Sequence, residues 1–179
     1  MKIFLRFVLI IIIGFLFSCS KKEEKISIIK EKELNLQMID AYKEGVKAFE
    51  QGDVLFAAKK FNEAEILFPQ SEWAPRSILM AAYSYYSQDY YYDAITELER
   101  FINKFPEHKN LNYAHFLLAI CYYEQIVDEK KDLQPILKAK KQFNYIIKNF
   151  PNSEFALDSE FKIDLINNLL ASKELYVGR

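Results

Sequence analysis

Histidine, cysteine and carboxylate side chains are the groups in this chain that could carry out catalysis or bind a metal. The two histidines are His108, in a predicted loop, and His115, on a predicted helix; neither has a second ligand at a spacing typical of zinc sites. Cys121 follows His115 by six residues, a poor match for one helix face. A cysteine flanked by apolar residues in a helix is usually a small buried hydrophobe. We therefore predict no metal site.

The short motifs of common enzyme classes are also missing from the sequence. It contains no glycine-rich dinucleotide pattern, no phosphate-binding loop and no GxSxG elbow around a nucleophilic serine. Acidic residues are plentiful but scattered over predicted exposed helix faces. The formal net charge of −1 gives no indication of nucleic-acid binding. We predict a protein that is not an enzyme and that binds no dissociable cofactor.

The first eighteen residues have the layout of a secretory signal peptide. Lys2 and Arg6 precede an apolar run over 7–17, and small residues follow up to Cys19. This run is too short to cross a bilayer as a helix, which needs about 20 residues. The sequence predicts that 1–18 are removed. The alternative is an uncleaved N-terminal anchor helix with an incidental cysteine.

The segment Leu16-Phe17-Ser18-Cys19 resembles a bacterial lipobox. The resemblance implies that the Cys19 thiol receives diacylglycerol, that the chain is cut before Cys19, and that the new amine is acylated. Several acyl chains anchor a protein stably, because each buried CH₂ contributes about 0.8 kcal/mol. The second residue of the mature chain would be Ser20 and not aspartate, which in lipoproteins of this kind suggests export to the outer membrane.

The mature chain would begin with a charged tether over 19–36 that lacks glycine and proline. Removal of 1–18 takes away Lys2 and Arg6 and no acidic residue, so the net charge becomes −3. Cys121 is then the one thiol besides Cys19, and no disulfide framework is possible within the mature chain.

A repeat of about 40 residues organises the rest of the sequence. A Phe-Pro pair occurs three times, and an alanine precedes each proline by twelve residues. A further small residue precedes the first two of these alanines by twelve. The residues are Phe68-Pro69, Phe105-Pro106, Phe150-Pro151, Ala57, Ala94, Ala139, Gly45 and Ala82.

This spacing predicts pairs of antiparallel helices. Small residues would let two helices approach closely, larger ones at helical spacing would fill the remaining core, and each Phe-Pro would end the second helix of a pair. The predicted large core residues are Phe61, Tyr85, Leu98, Phe101, Tyr122, Phe143 and Ile146. Asp53 and Asp89 fall in the turns between paired helices, where aspartate is favoured.

The pattern resembles the tetratricopeptide repeat. We predict an all-α fold, a right-handed tetratricopeptide-like helical-repeat solenoid of three helix pairs plus one further helix. Its domain would cover 37–179, with units at about 38–72, 73–110 and 111–156. The third unit carries eight extra residues, a charged loop near 128–135. The last helix, over 154–172, is followed by no polar capping helix, so we expect a truncated sequence or a partner at that end.

A tyrosine-rich stretch over 81–93 is the candidate for binding. In tetratricopeptide domains, the side that carries Tyr83 and Tyr86 lines the concave groove, and Arg76 lies two turns earlier on that side. Tyrosine offers a large contact area with a polar tip, and arginine can bind a carboxylate. With Tyr123, these residues form the predicted peptide or partner groove. The alternative is that the rings only fill space between helices.

Four segments, 71–86, 89–110, 113–126 and 150–159, are similar to the BamD (YfiO, ComL) family of outer-membrane lipoproteins in the β-barrel assembly machinery. The resemblance implies a lipid-anchored protein that faces the periplasm and helps unfolded outer-membrane proteins insert. It implies as partners a BamA-like barrel insertase, other assembly-complex lipoproteins, unfolded outer-membrane proteins and, through the acyl anchor, the lipid bilayer. The resemblance also implies five repeats, of which the C-terminal ones dock on the insertase. If the sequence is a fragment, the full protein carries those repeats; if their absence is real, docking on the insertase is in doubt.

Two other function classes stay open at this point. One is a periplasmic scaffold lipoprotein that joins cell-envelope enzymes, which would be found with partners of peptidoglycan metabolism. The other is an enzyme that uses the repeats as an adaptor, which would require a catalytic domain in further C-terminal sequence.

Overall fold

The computed structural model describes residues 23–125 and 133–177, and these residues form seven α-helices and no β-strand. The helices are α1 (Glu23–Glu50), α2 (Val54–Leu67), α3 (Trp73–Tyr86), α4 (Tyr91–Lys104), α5 (Leu111–Glu124), α6 (Gln134–Asn149) and α7 (Glu154–Val177).

The chain divides into two compact units, Met1–Leu36 and Gln37–Arg179. Of the first unit the structure describes 23–36, which are helical and belong to α1, so the predicted tether is a helix from Glu23 onward. The predicted signal peptide and Cys19 lie outside the described residues. No helix within 23–125 and 133–177 is long and apolar enough to cross a membrane.

Helices of the second unit pack against their neighbours along the chain. Residues 37–50 of α1 pair with α2, α3 pairs with α4, and α5 pairs with α6. Helix α7 packs against α6 and also contacts α5. This arrangement of three helix pairs and one further helix confirms the predicted all-α fold class.

Small residues allow each pair to pack closely, as the spacing predicted. Gly45 of α1 faces the buried ring of Phe61 on α2, where there is no room for a larger side chain. The repeat alanines are all fully buried, and so are Ala119, at the place in the third pair that corresponds to Ala82, and the phenylalanines predicted for the core. These residues are Ala57, Ala82, Ala94, Ala119, Ala139, Phe61, Phe101 and Phe143.

Each Phe-Pro pair ends the second helix of a pair. The amide of Phe68 donates to the carbonyl of Ala64, and Phe105 and Phe150 repeat this bond one helix pair later each time. Proline comes next and cannot continue the helix. In the first and third of these turns a serine hydroxyl, on Ser71 or Ser153, then donates to the phenylalanine carbonyl. The sequence therefore sets the position of three helix ends.

Turns inside the first two pairs share a left-handed residue. Gly52 has φ 81° and Asp89 has φ 63° at equivalent places after the first helix of each pair. The next amide in each turn donates back into the helix, from Asp53 to Ala48 and from Tyr90 to Tyr85. Asp53 also caps α2, since its Oδ1 accepts from the amide of Phe56 at 3.1 Å.

A polar network joins α2 to α4 across the first two pairs. The buried carboxylate of Glu65 accepts from Arg100 at 2.8 Å and from Lys104. Arg100 also donates to Glu97 and to Asn62. Because the ionised carboxylate is taken out of water but fully paired, the network fixes the spacing of α2 and α4.

The third pair and the last helix differ in part from expectation. Helix α6 begins at Gln134, so the charged insertion ends before Pro135, which occupies the first turn of α6; residues 126–132 lie outside the described part. Helical spacing predicts one apolar side of α7, made up of Phe155, Phe161, Leu165, Leu169 and Leu170. Phe155, Leu169 and Leu170 do pack against the core, but Phe161 and Leu165 are exposed. The fully packed positions of α7 are Ala156, Ser159 and Ile166.

Candidate peptide-binding surface

The first helices of the three pairs form one continuous surface that contains three adjoining cavities. The α1–α3 cavity, about 270 Å³, is lined by Ile39, Tyr42, Lys43, Val46, Trp73 and Arg76. The α3–α5 cavity, about 310 Å³, is lined by Arg76, Leu79, Met80, Tyr83, Asn110 and Tyr113. The turn cavity, about 660 Å³, is lined by Glu72, Trp73, Pro75, Arg76, His108, Lys109 and Asn110. We call these residues together the first-helix surface.

Arg76 lines all three cavities. Its guanidinium carbon lies 5.3 Å from the ring centre of Trp73 and 5.7 Å from that of Tyr42. These two rings meet edge to face at 5.0 Å. Burial raises the pKa of Tyr42, while the charge of Arg76 and a hydrogen bond from it act in the opposite direction. The rings therefore fix where the cation sits, although the arginine itself is exposed.

Tyr83 and Tyr86 belong to a ladder of aromatic rings that crosses three helices. Phe49 lies 5.6 Å from Tyr83, Tyr83 lies 6.3 Å from Tyr86, and Tyr86 lies 6.2 Å from Tyr91. Tyr83 is 39% exposed at the α3–α5 cavity, whereas Tyr86 is half-buried against the core. Of the two tyrosines, Tyr83 is the one placed to contact a ligand beside Arg76.

Tyr123 lies elsewhere. Its ring is half-buried against the core and carries the ammonium group of Lys162 at 4.3 Å, where α5 meets α7. It lines none of the three cavities described above. Of the four predicted groove residues, Arg76 and Tyr83 therefore line the same cavity. Tyr86 packs against the core, and Tyr123 lies outside the three cavities.

The surface also contains aromatic residues that sequence reasoning missed. Tyr42, Trp73 and Tyr113 line the cavities on either side of Arg76. Burial raises the pKa of Tyr113 to about 12, and Tyr83 and Tyr86 add to the shift, so its hydroxyl is neutral at ordinary pH. Sequence spacing could have identified Trp73, since Trp73 and Arg76 are three residues apart and therefore lie on one helix face. Tyr42 and Tyr113 could be found only through packing.

The groups that first suggested chemistry are packed into the core or turns. His115 is buried, its Nδ1 donates to Gln142 Oε1 at 2.9 Å, and its ring lies 4.2 Å from Tyr145. Cys121 is fully buried, and burial raises its thiol pKa to about 12. Among residues 23–125 and 133–177, no group of three or more histidine, cysteine or acidic side chains is arranged to hold a metal ion.

A family model described as YfiO, outer-membrane lipoprotein, matches residues 35–179. The chain belongs to this family. The match covers all seven described helices except the beginning of α1. It also includes every residue of the first-helix surface.

Curated relatives carry the same description in more detail. The chain is 37% identical over 161 residues to the outer-membrane protein assembly factor BamD of Caulobacter vibrioides, which covers 90% of this chain and 52% of that protein. It is 36% identical over 138 residues to BamD of Rickettsia prowazekii, which covers 77% of this chain and 55% of the relative. The chain thus spans about half the length of these relatives. Both names describe an assembly factor and not a catalytic activity.

Solved structures show the fold. The first tetratricopeptide domain of Spaghetti (RPAP3), bound to an HSP90 peptide, matches with a TM-score of 0.57 at 16% identity over 76% of this chain and 95% of that chain. The first tetratricopeptide domain of human RPAP3 has the same TM-score at 18% identity, over 78% and 97%. The predicted tetratricopeptide architecture is therefore confirmed.

Proposed function

We propose that this chain is a non-enzymatic, lipid-anchored component of outer-membrane β-barrel assembly, which binds unfolded segments of barrel proteins on the first-helix surface. Family membership supports the assembly role, because the curated relatives are named as assembly factors. The observation that carries the binding role is the row of apolar cavities around Arg76 and Tyr83.

The chemistry of the surface suits an extended, partly apolar chain. A β-strand segment projects alternate side chains to opposite sides, so one side of an unfolded barrel strand is apolar. Half-exposed rings such as Trp73 and Tyr83 offer large contact areas at low entropic cost. The Spaghetti domain, which shares this fold, holds a peptide in its solved structure. Binding of this kind makes and breaks no covalent bond, so no catalytic residue is needed.

In this proposal the acyl chains on Cys19 hold the protein on the periplasmic side of the outer membrane. The lipid keeps the first-helix surface near the bilayer into which substrates insert. The partners are a BamA-like barrel insertase and other lipoproteins of the assembly complex. Affinity purification from detergent-solubilised outer membranes tests this part. Recovery of a barrel insertase supports it, whereas recovery of cell-wall enzymes without a barrel protein supports the scaffold alternative instead.

Fluorescence anisotropy with a labelled C-terminal decapeptide of an outer-membrane barrel protein tests the binding surface. The full chain, purified in detergent, should bind the peptide, and Tyr83→Ala should weaken binding about tenfold, as for an aromatic contact residue. The matched control is Tyr92→Ala, which removes a tyrosine that is 79% exposed on α4, away from the surface. Equal affinities for both variants would contradict the location of the site, and no binding by the unsubstituted chain would contradict the function.

A further inference from the structure

Helix α6 differs in charge from the second helices of the other two pairs. It contains four lysines and no acidic residue over Gln134–Asn149. Helix α2 carries two lysines and two glutamates, and α4 carries three acidic and two basic residues. In a chain whose formal net charge is −1, positive charge is therefore concentrated on this one helix.

Three of the four lysines lie on one exposed side of α6. Lys138, Lys141 and Lys148 are exposed, and their spacings of three and seven residues place them on the same side of the helix. The first and the last are about 15 Å apart along the helix axis. Leu137 and Tyr145 are exposed beside them. We call these five residues the lysine face.

The charges of the lysine face have no anionic partner within the described part of the chain. The ammonium group of Lys138 lies 5.1 Å from the ring centre of Tyr122. The fourth lysine, Lys140, donates to Asn167 Oδ1 on α7 at 2.7 Å and lies outside the lysine face. No lysine of α6 forms a salt bridge with a described residue. The three charges of the face are thus available to an external anion.

We propose that the lysine face docks on an anionic phospholipid surface, where its three ammonium groups meet the phosphates of the lipid headgroups. The bilayer is the one that holds the acyl chains on Cys19, so the inference rests on the lipid anchor of the proposed function. Helix α6 lies along the surface in this arrangement, and its apolar side stays packed in the protein core.

The residue types of the lysine face suit an array of phosphates. A lysine ammonium is a compact point charge on a flexible stem, and it binds phosphate without the fixed planar geometry of an arginine. Each lysine near an anionic lipid surface adds about fivefold to the affinity. Exposed tyrosine and leucine side chains suit the boundary between headgroups and acyl chains. Tyr145 is held at this position because its ring packs 4.2 Å from that of the buried His115.

An acidic segment of a partner protein would use the same charges, but two arguments favour the bilayer. The lysine face lines none of the three cavities described above, whereas recognised peptides commonly occupy grooves. A lipid anchor also makes contact with the bilayer an intramolecular event. The effective concentration of the surface is then high, and weak attractions are sufficient.

Chemical acetylation of lysines, read by peptide mass spectrometry, tests the proposal. The full chain, isolated from membranes, is reconstituted into vesicles of phosphatidylcholine alone or of phosphatidylcholine mixed with phosphatidylglycerol. We expect Lys138, Lys141 and Lys148 to react about fivefold more slowly in the anionic vesicles. High salt should remove this protection. Lys59, which is exposed on α2, is the internal control and should react equally fast in both.

Paired variants assign the protection to the lysine face. Lys141→Gln combined with Lys148→Gln should remove most of the protection of Lys138. Lys47→Gln combined with Lys59→Gln, at exposed positions on α1 and α2, removes the same amount of charge and should leave the protection intact. Equal losses in the two double variants would show that net charge is the cause and would overturn the proposal.

The results separate this inference from the proposed function. If the chain stays with both kinds of vesicle and the three lysines react equally fast in each, the anchor stands and docking is wrong. If the chain leaves phosphatidylcholine vesicles, the anchor is wrong, and protection by anionic vesicles still supports the lysine face. A last arm adds soluble polyglutamate to phosphatidylcholine vesicles. Protection as strong as that by phosphatidylglycerol would identify an acidic protein segment as the occupant and would overturn docking on lipid.

Discussion

A β-carbon at Gly45 would lie 2.9 Å from two ring carbons of Phe61, which is fully buried on the facing helix. Helix propensity alone predicts that Gly45→Ala stabilises the protein by about 1 kcal/mol. Overpacking against an enclosed ring costs about 1–3 kcal/mol. We expect Gly45→Ala to lower the free energy of unfolding, measured by urea denaturation. In a Phe61→Leu background the same substitution should cost less, and a gain in stability without that change would contradict the close packing.

The second prediction concerns Asp89, whose φ of 63° is left-handed. Its Oδ1 accepts from the Tyr91 hydroxyl at 2.6 Å. Asparagine also offers a hydrogen-bond acceptor and tolerates the left-handed conformation. Asp89→Asn should therefore change the free energy of unfolding little. Asp89→Ala should lose about 1 kcal/mol, since alanine is strained there. Tyr91→Phe separates the hydrogen bond from the backbone effect; a loss as large as that of Asp89→Ala would assign the cost to the bond.

The third prediction is that Glu65 stabilises the folded protein at neutral pH and that this contribution is lost in acid. Burial alone would raise its pKa, but hydrogen bonds and charges from Lys104 and Arg100 hold the pKa below the ordinary value of 4.5. A lowered folded-state pKa contributes stability above 4.5 that is lost as the pH falls through the folded-state pKa. Glu65→Gln should cost about 1–3 kcal/mol at pH 7 and flatten the loss below pH 4.5. The exposed Glu107→Gln is the control, and an equal effect there would refute the assignment.

The fourth prediction concerns His115, which burial keeps neutral. Burial lowers its pKa from 6.5, although the hydrogen bond with Gln142 acts the other way. The unfolded chain then binds more protons just below pH 6.5, so stability should fall as the pH drops from 7 to 5. The pKa of His108 is also lowered by burial and by Lys109, so the test uses a His108→Gln background. Adding His115→Gln should reduce the remaining slope of Tm against pH; an unchanged slope would exclude His115.

The fifth prediction tests lipidation through thiol counting. Cys121 is fully buried with a raised pKa, so it should react with a thiol reagent only after unfolding. If Cys19 carries diacylglycerol through its sulfur, protein isolated from membranes should show no reactive thiol when folded and one in denaturant. A Cys121→Ala variant should then show none in either state. A rapidly reacting thiol in that variant would contradict lipidation of Cys19.

The sequence by itself determined the helix pairs, because the residues that set them act locally. A proline cannot continue the interior of a helix, so each Phe-Pro pair predicted a helix end. Small residues twelve apart predicted where two helices touch. Asp53 and Asp89 could be assigned to turns because the preference of aspartate for turns is local as well. The family resemblance also depended on residues that can be read in order along the chain.

Tertiary structure alone decided which side chains share a surface. Arg76 and Tyr83 were assigned to one side by helical spacing, but Tyr42 and Tyr113 join them from other helices, more than thirty residues away in the case of Tyr42. Tyr123 was predicted to belong to the same groove, but its ring instead contacts the ammonium group of Lys162. Likewise, Phe161 is exposed, whereas Ile166 belongs to the buried core. Packing between helices depends on the exact rotation of each helix, and residue spacing within one helix does not contain that information.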